Sequence, residues 1–262
     1  MTDILVGTWV VAYREFLRFI QERSRMLGAF AMPLLFLVIF GAGFNRMIGP
    51  LAPGIDFVQF IYPGIIAMMV LMQSVMSGLS VVWDREFGFL KEIMVAPIGR
   101  VGIVLGKAVG AATVAVVQGL IMLVLAPIVG VSLTPLLIVQ LVPVLVVVSL
   151  SLSGLGILVA SRMRSQQGFQ LVVQLIIFPL IFLSGVFFPV NNVAPWLATV
   201  SRMNPLTYGV DAIRQLFLQG GNEVIGVTIS GHTMSVIDDI AVVVCFGAIL
   251  LTLAGRWFGR LE

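Results

Sequence analysis

From Ala108 to Ser161 the chain carries no Asp, Glu, Lys or Arg. A membrane-spanning helix needs about 20 mostly apolar residues. This stretch is too long for one such helix and right for two joined by a short turn. The turn is expected at Gly130–Pro135, where Thr134 and Pro135 read as an N-cap and first helical residue. Other charge-free stretches are Met26–Asn45, Phe57–Trp83, Ser165–Ser201 and Ile240–Gly255. The first two each suffice for one span, the second with some tilt or overhang. Ser165–Ser201 holds one span to about Pro189 and something shorter after it. Ile240–Gly255 gives only about 24 Å of helix against a core of roughly 30 Å. Snorkelling of Arg256 and an interfacial Trp257 would complete it. The expectation is an all-α membrane protein with six transmembrane helices, over about 26–45, 57–83, 108–130, 135–160, 166–189 and 239–257. Together they form one transmembrane domain over 1–262.

Composition agrees with that expectation. Hydrophobic residues make up 60% of the chain and charged residues 10%, where soluble domains have about 45–50% and 25%. A soluble enzyme, a nucleic-acid binder and a disordered chain are excluded as main readings. Cys245 is the one cysteine, so no internal disulfide or cysteine-based metal site is expected. In its apolar run it reads as a buried small hydrophobe. The single His232 argues against histidine metal chemistry. Every Asp, Glu, Lys and Arg falls outside the six expected spans or, as Asp239 and Arg256, at the ends of the last, which weakens a proton- or sodium-coupled transporter. The one near-match to a phosphate loop, Val101–Ala108, lacks the first Gly and a Ser or Thr after Lys107. The chain is therefore not expected to be an enzyme, and any work against a gradient needs energy from another polypeptide.

The N-terminal segment, 1–25, reads as an amphipathic helix. Leu5, Trp9, Ala12, Tyr13, Phe16, Leu17, Phe19 and Ile20 share one arc; Arg14, Glu15, Arg18, Gln21, Glu22 and Arg25 share the other. Such a helix suits the membrane surface, the alternative being a helix packed on another domain. With the N-terminus inside, the inner segments hold every Lys and Arg except Arg46, Arg202 and Arg214. That bias places both termini in the cytoplasm, in a multi-pass inner-membrane protein. The long outer segment, about 190–239, is semi-apolar and broken by proline. Short helices dipping back towards the membrane are expected there.

Small residues recur at four-residue spacing as Gly102, Gly106 and Gly110, and as Ser149, Ser153, then Gly156, Ala160. This spacing lets helices approach closely, within one subunit or at a dimer seam. Gln73, Ser74 and Ser77 are polar positions in the second span, and Gln118 is one in the third. Gln166, Gln170 and Gln174 recur every four residues, continued by Phe178 and Phe182. A glutamine stripe facing lipid is costly, so it faces protein or water. Helix–helix bonding and lining of a transport path, with Gln73, Ser77, Gln170, Gln174 and Phe178 as its residues, are the two readings. In the largest inner loop Asp84, Arg85, Lys91 and Glu92 share one helical arc, and Phe87, Leu90, Ile93 and Met94 the other. Glu86 is the misfit in the apolar arc. The loop is either a solvated helix or a short lever that docks on a soluble partner.

Two segments resemble the ABC-2 type exporter permeases, the group of daunorubicin-resistance and nodulation-factor export permeases. One is Arg85-Glu86-Phe87-Gly88 with Lys91-Glu92-Ile93, Pro97 and Gly106-Lys107. The other is Leu183-Ser184-Gly185-Val186-Phe187-Phe188-Pro189 with Ala194-Pro195-Trp196-Leu197, Asn204-Pro205-Leu206-Thr207-Tyr208 and Asp211-Ala212-Ile213-Arg214. Phe89 departs from the small hydroxyl residue that members often carry after the loop glycine. The resemblance implies an ABC exporter that moves an amphipathic or hydrophobic substrate (drug, lipid or glycan) outward. It implies two copies of a separate ATPase subunit, which bind ATP and Mg and touch Asp84, Arg85, Glu86, Gly88, Lys91, Glu92 and Pro97. It also implies a second permease copy, most simply a homodimer. A re-entrant outer helical segment before the last span would form the outer gate, with Pro189, Trp196, Asn204, Pro205, Asp211 and Arg214. The rival is a self-contained channel or secondary transporter.

Overall fold

A computed structural model of the chain describes residues 2–48, 56–87, 100–130, 133–218, 226–229 and 231–258. The described residues form nine α-helices: α1 (Thr2–Gln21), α2 (Arg23–Ile48), α3 (Phe57–Glu86), α4 (Arg100–Leu123), α5 (Pro135–Arg162), α6 (Gln166–Phe182), α7 (Pro195–Met203), α8 (Pro205–Phe217) and α9 (Val236–Phe258). One two-stranded antiparallel hairpin, β1 (Thr228–Ile229) and β2 (His232–Thr233), interrupts the helices. Gly231 turns it with φ of 84°. The fold is thus nearly, not wholly, helical.

By length and composition α3, α4, α5 and α9 are each able to cross a membrane. The α1–α2 pair, bent by 71°, passes the same test as one unit. The expected span over 166–189 is shorter as a helix, since α6 stops at Phe182 after 17 residues. Leu183–Gly185 turns there, with Gly185 at φ of 76°. At about 1.5 Å per residue α6 is about 26 Å long. Conversely, α9 begins at Val236 and reaches 23 residues, because Asp238 caps its start by accepting from Ser235 N and Oγ at 2.9 and 2.8 Å. The expected turn at 130–135 is seen at both ends. Gly130 takes φ of 80° after a short 3-10 turn, and Thr134 Oγ1 caps α5 by accepting from Leu137 N at 3.2 Å.

Helix α3 is the axis of the bundle, in contact with α2, α4, α5, α6 and α8, and Phe60–Leu71 is buried throughout. Its crossing with α5 is close because both helices lack side chains there. A Cβ on Gly78 would strike the Gly156 carbonyl, and one on Gly156 the Val75 carbonyl. Ser74 and Ser149 share a hydroxyl hydrogen bond of 2.7 Å in the same seam. The second small stripe seats α1. A Cβ on Gly106 would lie 2.7 Å from Val11 Cβ, and one on Gly110 2.8 Å from Glu15 Cβ. Both stripes therefore serve packing within one subunit.

The faces of α1 divide differently from the expected two arcs. Val11, Ala12, Glu15 and Phe19 are buried, whereas Trp9, Tyr13, Leu17 and Ile20 are exposed. Glu15, from the polar arc, turns inward because α4 offers it a charged partner. Half of the apolar arc is left as a greasy outer face. Cys245 is also exposed, against the expectation of burial, because α9 turns that side away from α5 and α8.

Candidate functional site

Polar groups gather at the two ends of α3. At its C-terminal end the ammonium of Lys107, on α4, is 1% exposed. It donates to Asp84 Oδ2 at 2.8 Å and to Ser80 Oγ at 2.7 Å, and meets Glu15 Oε1 at 3.5 Å. Arg14 donates to both oxygens of Asp84 at 3.1 and 3.3 Å. Two cations and two anions thus close a neutral cluster among α1, α3 and α4. A buried charge is tolerated only with such pairing. Next to it, Arg85 donates to the carbonyls of Met163 at 2.7 Å and Ser161 at 3.2 Å. These are carbonyls at the end of α5, where a cation is favoured. Glu86 accepts from Gln166 N at 3.3 Å, at the positive N-terminus of α6. Three consecutive residues of α3 therefore hold α1 and α4, α5, and α6.

This assigns the sequence candidates unequally. Asp84 and Arg85 face neighbouring helices of the same chain. Glu86 is exposed, and its partner is the α6 backbone rather than Arg14 or Arg18. Phe87 is 65% exposed at the mouth of the loop. Gly88, Lys91, Glu92 and Pro97 lie outside the described residues. Glu15 and Ser80 were not singled out by the sequence. A signal for the cluster exists: Asp84 and Lys107 are opposite charges flanking adjacent apolar stretches.

At the other end of α3, α7 and α8 fold back onto the bundle. Asn204 caps α8 by accepting from Leu206 N at 3.0 Å, and its amide donates to Leu180 O on α6 at 2.7 Å. Pro205 is the first residue of α8, where no N–H is needed. Arg214 is 3% exposed; its guanidinium stacks 3.8 Å from the Phe60 ring and donates to Gly185 O at 2.8 Å and Phe60 O at 3.3 Å. Burial pulls its pKa down to about 10, against the opposing pull of Asp211. Asp211 Oδ2 accepts from Val227 N at 2.8 Å and from Gln215 at 3.1 Å. Burial pushes that carboxyl above its ordinary range, while the Val227 N–H, Arg214 and Gln215 favour the anion. Gln215 also donates to Asp239 of α9 at 3.0 Å. Gln215 and Asp239 are further residues that the sequence does not single out.

The prolines make the breaks and the asparagines bind the freed backbone. Pro189 leads a single 3-10 turn, and Asn191 holds the hairpin by donating to Gly226 O at 2.6 Å. Trp196 is 68% exposed. Tyr208 is buried, its hydroxyl reaching back to donate to Arg202 O at 2.7 Å.

The path candidates fall into two separate groups. Gln73 and Ser77 are buried in the bundle, Ser77 bonding to Ser74 O at 2.6 Å. Gln170, Gln174 and Phe178 are exposed on α6, while Phe169, Val173, Ile177 and Ile181 turn to α3 and the core. The stripe is thus a polar line on an otherwise apolar outward face that also carries Leu171 and Leu175, 70% and 76% exposed.

Long apolar helices, with charges gathered where they end, define a multi-pass membrane protein. Residues 7–218 match the family model described as ABC-2 type transporter; the chain belongs to that family, as a membrane transport component. Similar proteins include transport permease ycf38 of Cyanophora paradoxa, 29% identical over 80% of this chain and 73% of the relative. Nodulation protein J of Rhizobium leguminosarum bv. trifolii is 31% identical over 74% of each chain. The multidrug ABC transporter permease YbhR of Escherichia coli K12 is 33% identical over 64% of this chain. The match spans about half of that relative, 46% of its length.

Proposed function

We propose that the chain is the permease subunit of an ATP-driven exporter. In this reading it crosses the inner membrane six times with both termini in the cytoplasm. Helix α2 is the first span and α6 the fifth, short one, while α1 lies in the membrane surface and α7–α8 form a re-entrant outer segment. ATP and Mg belong to a separate ATPase, two copies of which serve a homodimer of permeases. The loop between α3 and α4, with Glu86, Gly88, Lys91, Glu92 and Pro97, docks on that ATPase.

The observation that carries this reading is the grip of Asp84, Arg85 and Glu86 on four other helices. A push on the loop at the end of α3 is delivered directly to the α5 C-terminus and the α6 N-terminus. Helix α6 carries Gln170, Gln174 and Phe178 on its exposed face. A second copy facing that stripe would enclose a route with amide and aromatic walls, suited to an amphipathic substrate. Relatives named for multidrug transport and nodulation fit this class without choosing a substrate. Arg214 and Asp211 tie α8 to α3 and to the hairpin, so the outer gate moves as a unit with the bundle.

The test is co-purification of the chain from its native membrane, followed by reconstitution into vesicles with an amphipathic dye. The pure chain is expected to hydrolyse no ATP, and the complex to hydrolyse ATP and move dye. Dye movement by the pure chain, driven by an ion gradient without ATP, would establish the secondary-transporter rival.

A further inference from the structure

Two neighbouring cavities that share Met76 as a wall follow α3 from the Arg18 end into its apolar middle, a groove divided at Met76. Its first part has a volume of about 450 Å³, and Arg18, Glu22, Ser24 and Trp83 form its polar mouth. Met76 belongs both to this part and to a second cavity of about 200 Å³. There the walls are methionines, Met32, Met69, Met72 and Met76, with Gln73 and Gln118 at the far side. Met32 is also 53% exposed, so the deep part opens on the same face of α2 as Leu35. From Trp83 to Met72 the groove follows α3 for about 16 Å.

The walls differ in chemistry along that length. At the mouth the Arg18 guanidinium lies 4.3 Å from the centre of the Trp83 ring. Trp83 Nε1 is a buried donor without a partner, a condition that calls for a missing acceptor nearby. Arg18 and Arg23 flank the elbow between α1 and α2, while Arg14 beside them is held by Asp84. Of the acidic residues there, Glu15 is engaged by Lys107 and Glu22 lies 3.7 Å from Arg18. Arginines next to membrane helices attract anionic lipid headgroups. Beyond the mouth, flexible polarizable thioethers fit themselves around an irregular apolar guest. A mouth with a guanidinium and an unpaired indole N–H, apolar methionine walls beyond it and an opening to the lipid face fit one ligand class.

We infer that this groove seats one anionic phospholipid, its phosphate at Arg18 and one acyl chain running past Met76 to Met72. The lipid fills the inside of the 71° elbow between α1 and α2 and holds it open. This site is independent of the transport path on α6, and it holds whether or not the chain works with an ATPase.

The probe is phosphatidylglycerol carrying a photoreactive diazirine in one acyl chain, mixed into phosphatidylcholine vesicles containing the full chain. Peptide mapping is expected to place the crosslinks on 24–33 and 69–83. Arg18→Gln is expected to lower crosslinking of phosphatidylglycerol about fivefold, the loss of one juxtamembrane cation, and to leave crosslinking of a phosphatidylcholine probe unchanged. Met72→Trp, which fills the channel, is expected to remove the 69–76 crosslinks with either headgroup. Circular dichroism and gel-filtration of each variant show whether it is folded, and Met72→Leu serves as a volume-conserving control expected to keep the crosslinks. Glycerol 3-phosphate at millimolar concentration is expected not to compete; competition would reduce the site to a simple anion site and overturn the proposal. Equal labelling of both headgroups in the unmodified chain and in Arg18→Gln, or crosslinks spread evenly over all helices, would overturn it as well.

Discussion

Replacing Lys107 by Met tests whether the α1–α3–α4 cluster is held by charge. The substitution keeps an unbranched side chain one atom shorter and removes the ammonium. Asp84 then loses a 2.8 Å partner, Ser80 a 2.7 Å one and Glu15 a 3.5 Å one. Asp84 is 5% exposed, and breaking a buried pair from one side costs about 3–5 kcal/mol. The Arg14 guanidinium still reaches both oxygens of Asp84, and its side chain is 46% exposed, so the low end, about 3 kcal/mol, is expected. For a chain of this size 1 kcal/mol moves Tm by about 2–4 °C, which gives a fall of roughly 10 °C. The assay is thermal unfolding of the detergent-purified chain, read by tryptophan fluorescence and by loss of the monodisperse peak. Lys107→Met combined with Asp84→Asn removes one charge of each sign and is expected to recover at least half of the loss. If Lys107→Met melts with the parent, or the double variant is worse than either single one, the charge argument is refuted.

Four further outcomes are expected. Gly106→Leu should detach α1 from α4, since even a Cβ there meets Val11 at 2.7 Å; limited proteolysis would then cut within 2–21, and an unchanged digestion pattern would count against the packing. Glu86→Ala should reduce vesicle transport with normal membrane insertion, whereas Glu86→Asp should keep part of it; full transport by the alanine variant would remove Glu86 from coupling. Arg214→Lys should lose the Gly185 bond and the stack on Phe60 and lower Tm by several degrees, at about 1.5–3 kcal/mol per charged hydrogen bond; a wild-type Tm would show that the guanidinium geometry is not needed. In a Cys245→Ser background, cysteines at Gln170, Gln174 and Phe178 should react with small polar thiol reagents and those at Val173 and Ile177 should not, as read by mass shift; unreactive stripe positions in every nucleotide state would move the route elsewhere, first to Gln73 and Ser77.

The elements were most legible where apolar length set them. The uncharged run from Ala108 to Ser161 holds most of α4 and all but the last residue of α5, and Thr134-Pro135 marked the boundary because capping chemistry is local. The short α6 was harder, because an apolar run does not reveal a glycine turn at Gly185 inside it. The site was partly legible for the same reason. Asn204 and Pro205 act within their own turn, so the sequence shows them. Asp84 and Glu15 lie 23 and 92 positions from Lys107 along the chain, and only the packing of α1 onto the Gly106–Gly110 stripe brings them together. The wheel for α1 breaks down at Glu15 because periodicity alone does not say which neighbour carries a charge.

The seat of α1 also orders events during synthesis. Thr8 bonds to the carbonyl of Gly102, 94 positions later, and the glycines that receive Val11 and Glu15 belong to α4. While the ribosome is still making α2 and α3, the α4 seat of α1 does not yet exist. Glu15 gains its Lys107 partner only once α4 has been made. Helix α1 is thus made before α2 and α3 but finds its partner only after them. A chain stopped before α4 is expected to leave α1 undocked and open to proteolysis.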